Sequence, residues 1–254
     1  MDNTIKPKLY PAPKSGPSYA PLPGQGTAPD QFADQTAQQP TEQTIDQATT
    51  AKVLKNTYAL LSLTLLFSAG VAAASMAFAL PAPGIMLTLA GYFGLLYAVH
   101  KQKNSVWALP AVFGLTGFMG YTLGPMLAKV VALPGGAQVV VLALAATGVT
   151  FMALSAYVLA TKKNFNAIGG FLFVGMMIAI LACLTAIFFQ MPALGLAVSA
   201  MVALLSAGLI LYETSRIVNG GETNYVMATV GLYVSVFNLF TSLLSLFGFG
   251  GNNE

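Results

Sequence analysis

Long stretches of this chain carry no formal charge. Lys, Arg, Asp and Glu are all absent from residues 56–100, 104–128, 130–161, 164–212 and 223–253. A membrane-crossing helix needs about 20 apolar residues to span roughly 30 Å of hydrocarbon. The intervals of 25, 32 and 31 residues each fit one crossing, and those of 45 and 49 residues have room for two. Both long intervals are interrupted, the first by Pro81-Ala82-Pro83-Gly84 and the second by Gln190-Met191-Pro192. Proline removes a helical N–H and pushes the preceding residue out of the α region, so each break reads as a hairpin turn. The expectation is an all-α integral membrane protein of seven transmembrane helices. They fall near 57–80, 84–100, 105–128, 138–161, 167–189, 193–215 and 225–248. Composition agrees: 7% of the residues are charged, against about 25% in a soluble domain.

Charge placement gives an orientation. With the N-terminus cytoplasmic, that side holds Lys6, Lys8, Lys14, Lys52, Lys55, Lys101, Lys103, Lys162, Lys163 and Arg216, and the far side holds Lys129 alone. Basic residues concentrate in cytoplasmic loops, so the chain is expected to start inside and end outside. A dropped crossing anywhere before the end would scramble this asymmetry, which therefore supports the odd count. The first 50 residues contain no apolar signal-peptide core, so the first crossing is expected to direct insertion. The lone Cys183 lies within a span and has no partner in the chain for a disulfide.

Residues 1–52 are a different material. Eight of the 14 prolines fall there, followed by the run QFADQTAQQPTEQTIDQATT. Such a segment has too little apolar surface to offset its ordering entropy and is expected to be a disordered cytoplasmic tail. It is either a solvated end with no role or a handle. A coil of ~50 residues reaches roughly 40 Å, far enough to be gripped. The membrane domain then covers 53–249, with a short periplasmic end at 250–254.

Catalytic chemistry lacks its residues. No aspartate follows Asp46, and the single histidine, His100, sits at a helix end between apolar sequence and Lys101. Neither a Ser-His-Asp triad nor a His/Cys metal cluster can be assembled, and no glycine-rich stretch follows a strand. No enzyme activity, cofactor or metal is expected. The +3 net charge reflects loop placement, without the basic, aromatic-interleaved patch of a nucleic-acid binder.

Glycines mark where helices meet. Gly114, Gly117, Gly120 and Gly124 lie on one stripe of the third span at 100° per residue, and Gly120/Gly124 form a GxxxG pair. Small residues let backbones approach closely in lipid. The stripe serves either contact within the bundle or an oligomer interface. AGVAAASMA (69–77) in the first span and Gly169, Gly170 and Gly175 in the fifth are similar small-residue stretches.

Four segments, NTYALLSLTLLFSA (56–69), TGFMGYTLGPML (116–127), SAYVLATKKNFNAIGGFLF (155–173) and LYETSRIVNGGETNYVMATVGLYVSVFNLFTSLLSLFGF (211–249), resemble the Bax inhibitor-1 family. The last is the most specific and is similar to its bacterial YccA branch. The resemblance covers about residues 50–249 and implies seven helices with the seventh central, surrounded by the other six. It implies binding to FtsH, the membrane-anchored ATP-dependent protease, which such a protein restrains and which degrades it through its N-terminal tail. Elsewhere in the family, paired aspartates on the sixth and seventh helices form a pH-sensitive latch over a calcium leak. By position these fall on Glu213 and Ser235. A hydroxyl cannot share a proton as one of two like-charged groups does, so the resemblance carries the leak less well than the protease partnership. Calcium stays an alternative ligand, and the lipid bilayer is the surrounding medium.

Glu213 itself lies about 20 residues, or roughly 30 Å of rise, from the start of its helix, three residues before Arg216. Two readings of it stand: an interfacial ion pair ending the helix, or a remnant proton or cation site facing the bundle interior.

Overall fold

The computed structural model describes residues 42–250, and the expectations for 1–41 and 251–254 lie outside them. Seven α-helices follow one another: α1 (Glu42–Ala77), α2 (Ile85–Gln102), α3 (Ala108–Val131), α4 (Gly136–Thr161), α5 (Gly169–Phe188), α6 (Pro192–Val218) and α7 (Tyr225–Phe249). A single 3-10 turn, Asn166–Ile168, leads into α5, and the described residues contain no strand. Each expected span coincides with a helix, with ends differing by a few residues at most places.

The largest departure is at the start of α1, which begins at Glu42. Residues 42–52, which the sequence reading gives to the tail, are helical. Pro40 is the last proline before them. The stretch EQTIDQATTAK that follows contains neither proline nor glycine, the two residues that most disfavour a helix interior.

Among the described residues, six helices are long and apolar enough to cross a membrane: α1 (over Ala48–Ala77), α3, α4, α5 with its leading turn, α6 and α7. The remaining helix, α2, has 18 residues, and its last turn carries His100 and Lys101.

The breaks form as proline and left-handed residues dictate. Between α1 and α2, Ala79 takes φ 48°, Leu80 N–H returns to the Ser75 carbonyl at 3.0 Å, and the Tyr121 hydroxyl donates to Pro81 O at 2.7 Å. Gln190 takes φ 51° between α5 and α6, and Pro192 opens α6, where its missing N–H is not needed.

The helix α7 packs on α1, α3, α4 and α6, whereas α2 rests mainly on α3 and α5 on α6. Half of α7's apolar window is buried, the largest share among the six long helices. The seventh helix is central, but four helices form its main shell where the resemblance implied six. Tyr233 of α7 is fully buried. Its hydroxyl donates to Thr116 O at 3.3 Å and shares a 2.6 Å hydrogen bond with Ser68 Oγ, joining α7 to α3 and α1. Side chains facing away from the bundle are large and apolar, among them Leu66, Phe171 and Leu181.

Candidate functional site

The charged centre of the bundle is built at the end where α6 stops and α7 starts. Arg216 lies in the last turn of α6, where a cation complements the helix dipole. Its Nη1 donates to Glu213 Oε2 at 3.4 Å and its Nη2 to Glu222 Oε2 at 2.9 Å. The guanidinium also stands 5.6 Å from the centre of the Tyr212 ring. Glu213 arrives by the i,i+3 spacing of a helix. Glu222 arrives because the chain reverses at Gly220, φ 73°, so that the Gly221 and Glu222 N–H groups both donate to Arg216 O, at 2.8 and 3.1 Å. One cation therefore sits between two carboxyl groups.

Neighbouring connections are fastened to this centre. Ser215 Oγ accepts from Phe165 N at 2.8 Å and donates to Lys163 O at 3.1 Å. Asn224 caps α7, its Oδ1 accepting from Val226 N and Met227 N. The same side chain donates through Nδ2 to Lys103 O and Asn104 Oδ1, at 3.0 and 2.9 Å. The α2–α3, α4–α5 and α6–α7 connections thus form one layer.

Glu213 points into the bundle. Its side chain is 14% exposed, half the 29% of Arg216, and it lies against Gly231 of α7. A Cβ built on Gly231 would stand 2.7 Å from Glu213 Cδ, so a larger residue there would make the carboxylate shift. Ser235, one turn further along α7, is buried and gives its hydroxyl to Gly231 O at 2.9 Å. Glu213 and Ser235 therefore flank the same glycine, and the acid's recorded polar partner is Arg216. The cation that the two acids hold is the chain's own. Among the described residues no group of three or more His, Cys, Asp or Glu comes together that could hold a metal ion.

The stripe of glycines on α3 faces two helices. Gly120 lies against the Ser68 carbonyl, Gly124 against Ser75 and the Met76 amide, and Gly117 against the Phe67 ring, all on α1. Gly114 turns toward α2, where the nearest atom to a built Cβ is Leu95 Cδ2 at 3.8 Å.

Glu222, Asn224 and Gly231 belong to this arrangement and escaped the sequence reading. Asn224 carried a signal, because Asn before an apolar helix is a capping residue. Gly231 carried none, since its neighbour in space is 18 residues away on another helix.

Known proteins extend this picture. The family model described as "Inhibitor of apoptosis-promoting Bax1" matches residues 50–253. A protein of Escherichia coli K12 named "Modulator of FtsH protease YccA" is 48% identical over 204 residues, which are 80% of this chain and 93% of that protein. The counterpart in another Escherichia coli strain, equally similar, is named "Inner membrane protein YccA". An uncharacterized protein of Pseudomonas aeruginosa is 47% identical over 209 residues, 82% of this chain and 94% of that protein.

Proposed function

Because the chain belongs to the Bax inhibitor-1 family, in its YccA branch, we propose that it binds and modulates the membrane protease FtsH and catalyses nothing itself. The observation that carries this reading is the Escherichia coli relative, whose name states that role and which aligns over nearly its whole length. The second relative's name supports an inner-membrane location. In this reading α2 is the seventh crossing. Its first 15 residues are free of charge, and His100 and Lys101 sit at the membrane surface. The lysine and arginine asymmetry supports a cytoplasmic N-terminus and a periplasmic C-terminus, which puts Arg216 and its two acids on the cytoplasmic side. The proline-rich residues upstream of Glu42 serve as the handle by which FtsH degrades the protein. The test is a crosslinking pull-down of the full chain from native membranes, paired with turnover of an FtsH substrate. Recovery of FtsH and slower turnover when the chain is overproduced are expected. Unchanged turnover with no FtsH recovered would sink the proposal.

The calcium leak ranks second. It needs an acid pair on α6 and α7, and position 235 offers a hydroxyl already bonded to its own helix. Glu213 is instead engaged by Arg216.

A further inference from the structure

Two helices of the bundle leave a gap between them. α2 leans on α3 and α5 on α6, and between these pairs opens a lateral cavity of ≈ 440 Å³. Its walls are mostly apolar, with Phe93 on α2, Met176 and Ile180 on α5, and the Ser199 hydroxyl on α6 as an exception. Its floor is a stripe of the central helix: Asn238, Ser242 and Ser245, spaced i, i+4, i+7 on one face of α7. No Lys, Arg, Asp, Glu or His lines it.

Asn238 is what makes the cavity informative. It is the fourteenth residue of the 25-residue α7, near the midpoint of any crossing. Its backbone carbonyl accepts the Thr241 hydroxyl at 3.2 Å. Its carboxamide, with two donors and an acceptor, has no partner among the described residues. At that depth no bulk water is available, and an unpaired amide in hydrocarbon is costly. Lipid tails fill such a gap by volume but offer nothing to the amide. The size suits one ridge of side chains from a helix lying along the mouth, and Ala179 and Gly195 in the lining allow close approach of a backbone. The lack of charge in the lining favours a neutral polar residue on the incoming helix.

We infer that this cleft is the docking groove for a membrane-spanning helix of a partner protein, with a neutral polar side chain of that helix hydrogen-bonded to Asn238. The inference rests on the modulator reading only for who the partner is. A photo-reactive benzoyl-phenylalanine placed at Ile180 of the full chain, in native membranes, tests it. Adducts mapping to a membrane-spanning peptide of another protein are expected, and none from the same probe at Leu66, an exposed α1 position outside the cleft. Asn238→Leu should lower the yield roughly three- to tenfold, as loss of one interhelical hydrogen bond in lipid does, while Asn238→Gln keeps part of it. Cys183→Trp, which fills the mouth from an exposed position, should block the adduct without touching Asn238. Thermal unfolding in detergent checks that each variant is folded. Adducts to phospholipid alone, adducts only to a second copy of this chain, or an Asn238→Leu yield equal to wild type would overturn the inference. FtsH recovered by pull-down with no Ile180 adduct removes the cleft and leaves the modulator reading. An Asn238-dependent adduct to another membrane protein, with FtsH turnover unaffected, does the reverse.

Discussion

Arg216 holds together two acids that would otherwise repel each other in a half-buried setting. Removing its charge while keeping its reach, as Arg216→Gln does, leaves Glu213 and Glu222 without their cation, Glu213 being only 14% exposed. Breaking a buried pair by removing one partner is far costlier than losing a surface bridge. Partial exposure of Arg216 moderates that, and a loss of about 1–2 kcal/mol is expected, read as a lower unfolding temperature in detergent. Glu213 and Gly231 give a second, sharper test. Gly231→Ala puts a methyl where the carboxylate lies, so it should destabilise the wild type yet cost little in a Glu213→Ala background. A double-mutant cycle should return a coupling of about 0.5–3 kcal/mol, as for residues in contact, and additive effects would show that the acid does not sit on the glycine. The ion pair of Glu213 with Arg216 was legible, since three residues of helix place two side chains together whatever surrounds them. The rest of the centre was not. Glu222 depends on a left-handed glycine in a turn, and Gly231 on which face of α7 meets α6.

Helices reveal themselves in this sequence more readily than their neighbours do. The charge-free intervals and the two proline breaks carry all seven elements, because hydrocarbon length and the missing proline N–H are local constraints. Two local misjudgements remain. The tail composition hid the first turns of α1, where polar residues free of proline and glycine continue the helix ahead of its apolar stretch. The idea of a last helix ringed by six gave no hint that α2 and α5 stand further out. The glycine stripe of α3 illustrates the same limit. Periodicity puts Gly114 and Gly120 on one stripe, but Gly120 meets the α1 backbone and Gly114 meets only the tip of a leucine. Gly120→Val should therefore push α1 and α3 apart and cost about 1–3 kcal/mol, as overpacking does. Gly114→Ala should be neutral or slightly stabilising, since a built Cβ there has ordinary contact distance at 3.8 Å. Thermal stability of the two purified variants in the same detergent separates these outcomes, and equal effects would refute the assignment of faces.

At the scale of the whole molecule, the proposed orientation and the proposed handle can be tested on one set of chains. A reporter active only in the periplasm, fused after Glu254, should be active, and the same reporter fused ahead of α1 should be silent. The opposite result at either end would overturn the seven crossings. The handle needs more careful surgery. Because α1 begins at Glu42, a deletion through residue 50 would remove more than two turns of helix. It would take away Thr49 and Thr50, which line a groove at this end of the bundle with Leu159, Val218 and Thr223. Any change in lifetime would then mix a lost grip with a damaged fold. Cutting before Thr41 instead leaves all of α1 and the Arg216 centre intact. The shortened chain should unfold at the wild-type temperature in detergent, since what was removed has little apolar surface to bury. An ATP-driven protease that must engage a free end should then degrade it more slowly, so its half-life in cells with FtsH should lengthen. If the bundle still binds, the shortened chain should also occupy the protease and slow turnover of other substrates, a gain of inhibition from a loss of sequence. An unchanged half-life would refute the handle. A longer half-life without inhibition would keep the handle and deny the bundle any grip on FtsH.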